Sequence, residues 1–184
     1  MVKFFLIAIG LFNTSVVFSQ DRFFTKSGNI SFFSKTKVED IEASNRSVTC
    51  VLDTKTGNIQ FAVLMKGFEF RKAAMQEHFN ENYVESDKYP KSEFKGQVTN
   101  NASIDYAKPG TYPAKVKGQL TIHGETKQVE TDGTITIKDR KVLTTSEFQV
   151  AIADYRISVP ALVRDKISNL ITIRVSCALE PLSK

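Results

Sequence analysis

Residues 47–65 read SVTCVLDTKTGNIQFAVLM, and this stretch decides the fold class. Val48, Cys50 and Leu52 share one face of an extended chain, and Thr54-Lys55-Thr56-Gly57-Asn58 supplies turn residues. Ile59, Phe61, Val63 and Met65 then repeat the alternation on the way back. A period of two marks a strand with one buried face, and two such runs across a short Gly-containing turn make an antiparallel hairpin.

The rhythm continues downstream. Val116, Gly118, Leu120 and Ile122 alternate with Lys117, Gln119, Thr121 and His123. Ile135 and Ile137 lead into the charged turn Lys138-Asp139-Arg140-Lys141, and Val142 opens the next run. Phe148, Val150 and Ile152 continue the inward face, and Ile171, Ile173, Val175, Cys177 and Leu179 give the cleanest alternation in the chain. Many short strands separated by turn residues are the pattern of an all-β antiparallel sandwich or barrel. Arg71 to Tyr83, RKAAMQEHFNENY, breaks the period: Met75, Phe79 and Tyr83 stand at i, i+4 and i+8, which predicts one short helix with a single apolar face. Pro90 ends that excursion, and Asp105 to Pro113 reads as a turn. Residues 155–168 carry Ile157, Val159, Leu162 and Val163 around Pro160, so we expect a loop folded over the core or a mouth.

Outside this pattern lies the first segment. Lys3 precedes an uncharged apolar run from Phe4 to Val17, and Val17 and Ser19 are small. Residues 1–19 therefore read as a cleavable signal peptide, leaving one domain over residues 20–184 and a periplasmic or secreted product. The apolar run is shorter than the roughly 20 residues a spanning helix needs, so no transmembrane span is expected after cleavage. Loss of Lys3 takes the balance to 24 Lys plus Arg against 20 Asp plus Glu, a surplus of four with no basic stripe, so nucleic acid is not an expected partner. Export permits a disulfide between Cys50 and Cys177, with two buried free thiols as the alternative.

Chemistry-bearing motifs are scarce. The chain has two histidines: His123 falls on the polar side of its strand, and His78 lies near Glu77 and Glu81 without HExxH spacing, so both read as solvated residues. There is no GxSxG, Walker or GxGxxG motif, so no catalytic residue, metal or cofactor is expected. The aromatic supply is unusual: Phe61, Phe68, Phe70, Phe79, Tyr83, Tyr89, Phe94 and Phe148 exceed what a thin sandwich requires. A closed sheet of about eight strands has an interior that side chains can fill or that can hold one small ligand.

Two stretches carry a family resemblance. QEHFNENYVESDKYPKSEFKG, residues 76–96, resembles the part of the YceI-like family where a His-hydrophobe pair precedes Tyr-Pro and a strand Phe. GQLTIHGETKQV, residues 118–129, resembles that family's G-x-L-T-x-H-G-x-T-K strand and turn. Asp154-Tyr155-Arg156-Ile157 and Gly28-Asn29-Ile30-Ser31-Phe32 extend the likeness. The resemblance implies a single antiparallel lipocalin-like β-barrel, exported in bacteria, that holds a polyisoprenoid or other apolar lipid without catalysis. His123 and Gly124 would then sit at a turn. Inward parity, together with position near the helix and the 155–168 loop, makes Phe68, Phe70, Met75, Phe79, Tyr83, Phe94, Phe148, Ile152, Ile157 and Leu162 the candidate lining or gating residues. The competing expectation is a barrel filled by its own Phe side chains that docks a protein partner; a homodimer is the commonest oligomer if one forms.

Overall fold

The computed structural model describes residues 21–182. Eight long strands, β1 (Arg22–Lys35), β2 (Asp40–Asp53), β3 (Asn58–Leu64), β5 (Lys91–Val98), β6 (Gly110–Ile122), β7 (Glu125–Lys138), β8 (Lys141–Ala151) and β9 (Leu170–Pro181), form one antiparallel sheet. A two-residue strand, β4 (Glu69–Phe70), pairs on β2. The order β1-β9-β8-β7-β6-β5-β3-β2 closes on itself through β1–β2, so this is a barrel and not a sandwich. The hairpin read from residues 47–65 is β2–β3, with Thr49 opposite Ala62 and Leu52 opposite Ile59.

Turn chemistry fixes the registers. His123 and Gly124 have φ of +52° and +76°, and Asp139 and Arg140 have +49° and +61°. Two successive left-handed residues suit the right-handed twist of the strands they join. The β7–β8 ladder is short. It runs from Lys138 opposite Lys141 up to Gly133 opposite Ser146, beyond which β7 from Glu125 to Asp132 is hydrogen-bonded to β6 and not to β8.

The barrel is packed at one end and hollow at the other. Cys50, Leu52, Ile59, Val98, Ile135, Val142 and Leu179 meet at the packed end, none more than 3% exposed. β1 bends there, with register shifts on both sides of Gly28. A Cβ at Gly28 would approach Cys177 Sγ to 2.5 Å and the Val48 carbonyl to 3.1 Å. The strands flanking β1 carry the two cysteines, both buried and present as thiols. The hydrogen bond it donates to Cys177, and then burial, push the Cys50 thiol far above the ordinary range.

Candidate ligand cavity

Above the packed end the inward faces leave a cavity of about 420 Å³, bounded below by Ile59, Val98 and Ile135. That volume lies within the roughly 300–1,000 Å³ of small-molecule sites. The wall is overwhelmingly apolar because every strand presents its hydrophobic parity inward.

An aromatic cluster forms one side. Phe32 on β1 lies 5.2, 5.7 and 5.4 Å, centroid to centroid, from Phe68, Phe70 and Phe79, and Phe70 lies 5.1 Å from Phe79. Phe79 and Met75 reach the cavity from the predicted helix, which is α1 (Ala73–His78) continued by a widened turn over Phe79–Tyr83. Its wider winding is visible where the Val84 N–H donates to the Phe79 carbonyl at 2.9 Å, five residues back. Tyr83 also lines the cavity, and burial raises its phenol above the ordinary tyrosine value.

Phe94 from β5, Phe148 from β8, Ile152 just after β8, and Ile157 from the long connection also line the cavity. Leu162 does not join them. The single turn Ala161–Val163, which follows Pro160, carries Val163 to the cavity and leaves Leu162 91% exposed. Val159 and Val163 cover the mouth instead.

Two parts of this arrangement were not anticipated. Phe32 is the hub of the aromatic cluster, yet it sits in a Phe32-Phe33 doublet whose parity is ambiguous in sequence. Phe33 points outward, with the Arg174 guanidinium 4.3 Å from its ring. His123 is the other. It is not a solvated strand end: its side chain is only 12% exposed, Nδ1 lies 3.0 Å from the Tyr155 carbonyl and Nε2 2.6 Å from Glu85 Oε2. Tyr89 packs against the ring at 4.6 Å. The side chain thus ties the β6–β7 turn to the segment after the helix and to the turn after β8. The hydrogen bond from His123 holds the Glu85 carboxyl below the ordinary glutamate value.

Polar atoms on the wall are few. Glu39, His78, Glu93 and Lys166 line the cavity from the β1–β2 turn, the helix, the start of β5 and the 155–168 connection. Glu39 is held by Lys72 at 3.0 Å. No group of three or more His, Cys, Asp or Glu able to hold a metal occurs among the described residues. On the β7–β8 wall, Ser146 Oγ donates to the Asp132 carbonyl at 2.8 Å and lies 3.0 Å from Thr131 Oγ1, at the point where the ladder ends. Thr144, one pleat below on the same face of β8, is 6% exposed and its Oγ1 has no partner. An unpaired buried hydroxyl costs about 1–3 kcal/mol.

Comparison with known families places the chain. The YceI-like domain model matches residues 13–179. The chain belongs to the YceI-like family. Solved structures agree on the YceI-like fold. A polyisoprenoid binding domain from Saccharophagus degradans, implicated in plant cell wall breakdown, is similar at a TM-score of 0.76 and 13% identity, covering 88% of this chain and 99% of its own. BcnA of Burkholderia cenocepacia is similar at a TM-score of 0.67 and 13% identity, covering 83% and 95%. The Campylobacter jejuni YCEI protein gives a TM-score of 0.54 at 14% identity over 97% of both chains. No curated protein sequence matches this one. No helix among the described residues is long and apolar enough to cross a membrane.

Proposed function

We propose that this protein is an exported, non-catalytic carrier that holds a polyisoprenoid or similar long apolar chain inside the barrel. The observation that carries the reading is the cavity itself: a barrel meant only to support a docking surface would fill its lumen with its own side chains, and this one leaves about 420 Å³ open. A relative of the same fold described as a polyisoprenoid binding domain supports the ligand class. The chemistry fits as well, since the lining is aromatic and aliphatic and offers no nucleophile paired with a base.

Burial of one CH₂ contributes about 0.8 kcal/mol, so a five-carbon unit contributes roughly 4 kcal/mol before costs. Ordering the chain and losing translational freedom take back several kcal/mol, which two or three buried units offset. The export part of the reading rests on residues 1–19, outside the described residues, and N-terminal sequencing of the protein recovered from its native compartment tests it. A start near Gln20 is expected; an intact Met1 would overturn it. The carrier part is tested by calorimetric titration of lipid-stripped protein with a long-chain polyprenol. Saturable one-to-one binding with a negative heat-capacity change is expected, because apolar surface leaves water. Absence of saturable heat at all temperatures would overturn it.

A further inference from the structure

The floor of the cavity carries an unspent hydrogen-bond donor. Thr144 is more than nine-tenths buried, lines the cavity, and has an Oγ1 without a partner. Its cross-strand neighbours on the two sides are Ile135 and Cys177, so the hydroxyl stands on an otherwise nonpolar patch of wall. The hydroxyls of Thr134 and Thr145 bond each other at 2.8 Å, Thr145 being on the opposite parity to Thr144, and those of Ser146 and Thr131 are committed. Ser146 gives its hydrogen to the Asp132 carbonyl, and Thr131 Oγ1 sits between Ser146 Oγ at 3.0 Å and that same carbonyl at 3.1 Å. Each hydroxyl has one hydrogen to donate, so Ser146 and Thr131 retain only acceptor capacity, whereas Thr144 can both donate and accept.

We propose that the ligand enters end-first and that Thr144 hydrogen-bonds a neutral oxygen, a carbonyl or a hydroxyl, at the leading end of the apolar chain. This rests on the carrier reading above and adds the chemistry of the chain's end and its direction in the barrel. Neutrality follows from the surroundings. The wall residues from β7, β8 and β9 carry no charge, and the charged lining residues Glu39, Glu93 and Lys166 all belong to elements at the mouth. A phosphate or carboxylate driven to the floor would lose its water and find no cation, a burial that unpaired ions do not tolerate. A carbonyl or alcohol needs a single partner, and Thr144 supplies it. A chain bearing a charged group therefore keeps that group at the mouth.

The test compares geranylgeraniol with the hydrocarbon in which its CH₂OH is replaced by CH₃, on lipid-stripped wild type and on Thr144→Val, a near-isosteric change, and Thr144→Ser. The wild type should bind the alcohol about tenfold more tightly than the hydrocarbon, as one desolvated hydrogen bond allows. Thr144→Val should bind the two within about twofold, and Thr144→Ser should restore the preference. Equal binding of the two by wild type, or a preference that survives Thr144→Val, overturns the proposal while leaving the carrier reading intact. Failure of wild type to bind either chain overturns the carrier reading, and this proposal with it. A photoreactive group beside the oxygen should label peptides from residues 131–146; labelling confined to residues 157–167 reverses the assigned direction.

Discussion

The two ends of the barrel are built from the same alternating pattern and reach opposite results. At the packed end, Cys50, Leu52, Val142 and Leu179 are medium-sized and fully buried. They interdigitate across the lumen as a protein interior does. At the open end, the inward residues are Phe32, Phe70, Phe79 and Phe148, larger and only partly buried, and they stand around a void. Bigger side chains should fill space better, yet here they line it. The difference lies in what holds them apart: the helix, the 155–168 connection and the splayed β7–β8 edge widen this end, whereas the packed end is drawn in by the bend of β1 and the close approach at Gly28. One end is closely packed and the other leaves apolar surface around a void.

That contrast can be broken or sharpened by substitution, starting where the effect is largest. Leu52→Ala opens a cavity in the packed end and should cost about 2–5 kcal/mol of unfolding free energy in urea, with affinity for a polyprenol unchanged once the protein is folded. A loss of affinity in that variant would mean that the two ends are not separable. Gly28→Ala forces a methyl group against Cys177 Sγ and the Val48 carbonyl. Overpacking of this kind should cost roughly 1–3 kcal/mol, measured the same way. Phe79→Asp puts a charge into the aromatic cluster at the hollow end. It should abolish polyprenol retention while lowering stability less than Leu52→Ala does, and the reverse ranking would show that the cluster is structural core.

Smaller effects are expected at the latch. Glu85 has a depressed folded-state value, so its link to His123 contributes stability that is whole above the ordinary glutamate value of 4.5 and is lost as pH falls through the lower folded value. Glu85→Gln should therefore lower the melting temperature slightly at neutral pH, and the gap to wild type should close on acidification below that window. A gap independent of pH would mean that the pair acts by shape alone. Least of all, Leu162→Ser should change neither stability nor binding, because that side chain faces solvent.

The antiparallel sheet was legible in sequence because a strand with one buried face must write its parity into alternate residues, as 47–65 and 171–179 do, whereas its closure into a barrel was implied only by the family resemblance. The aromatic wall followed from the same parity at Phe68, Phe94 and Phe148, and from helical spacing at Met75 and Phe79. Phe32 was hidden because a Phe-Phe doublet satisfies both parities, and it is the packing of Phe32 on Phe68, Phe70 and Phe79 and of Arg174 on Phe33 that shows which ring faces out. Leu162 misled because a loop has no period from which a side chain's direction can be read. His123 was misjudged because its role depends on Glu85 and Tyr155, distant in sequence and brought together by closure. Thr144 was invisible for a related reason. A Thr in a Thr-Thr-Ser run looks like any exposed strand residue until its ladder partners place it at the floor.

Organic extraction and mass spectrometry of protein purified without detergent from its native compartment tests the central claim most directly. If the hollow end exists to hold an apolar chain, the extract should contain such a chain in about one-to-one ratio with the protein, and Phe79→Asp protein prepared alongside should contain none. Wild-type protein that emerges empty and then fails to take up an added polyprenol would contradict the account.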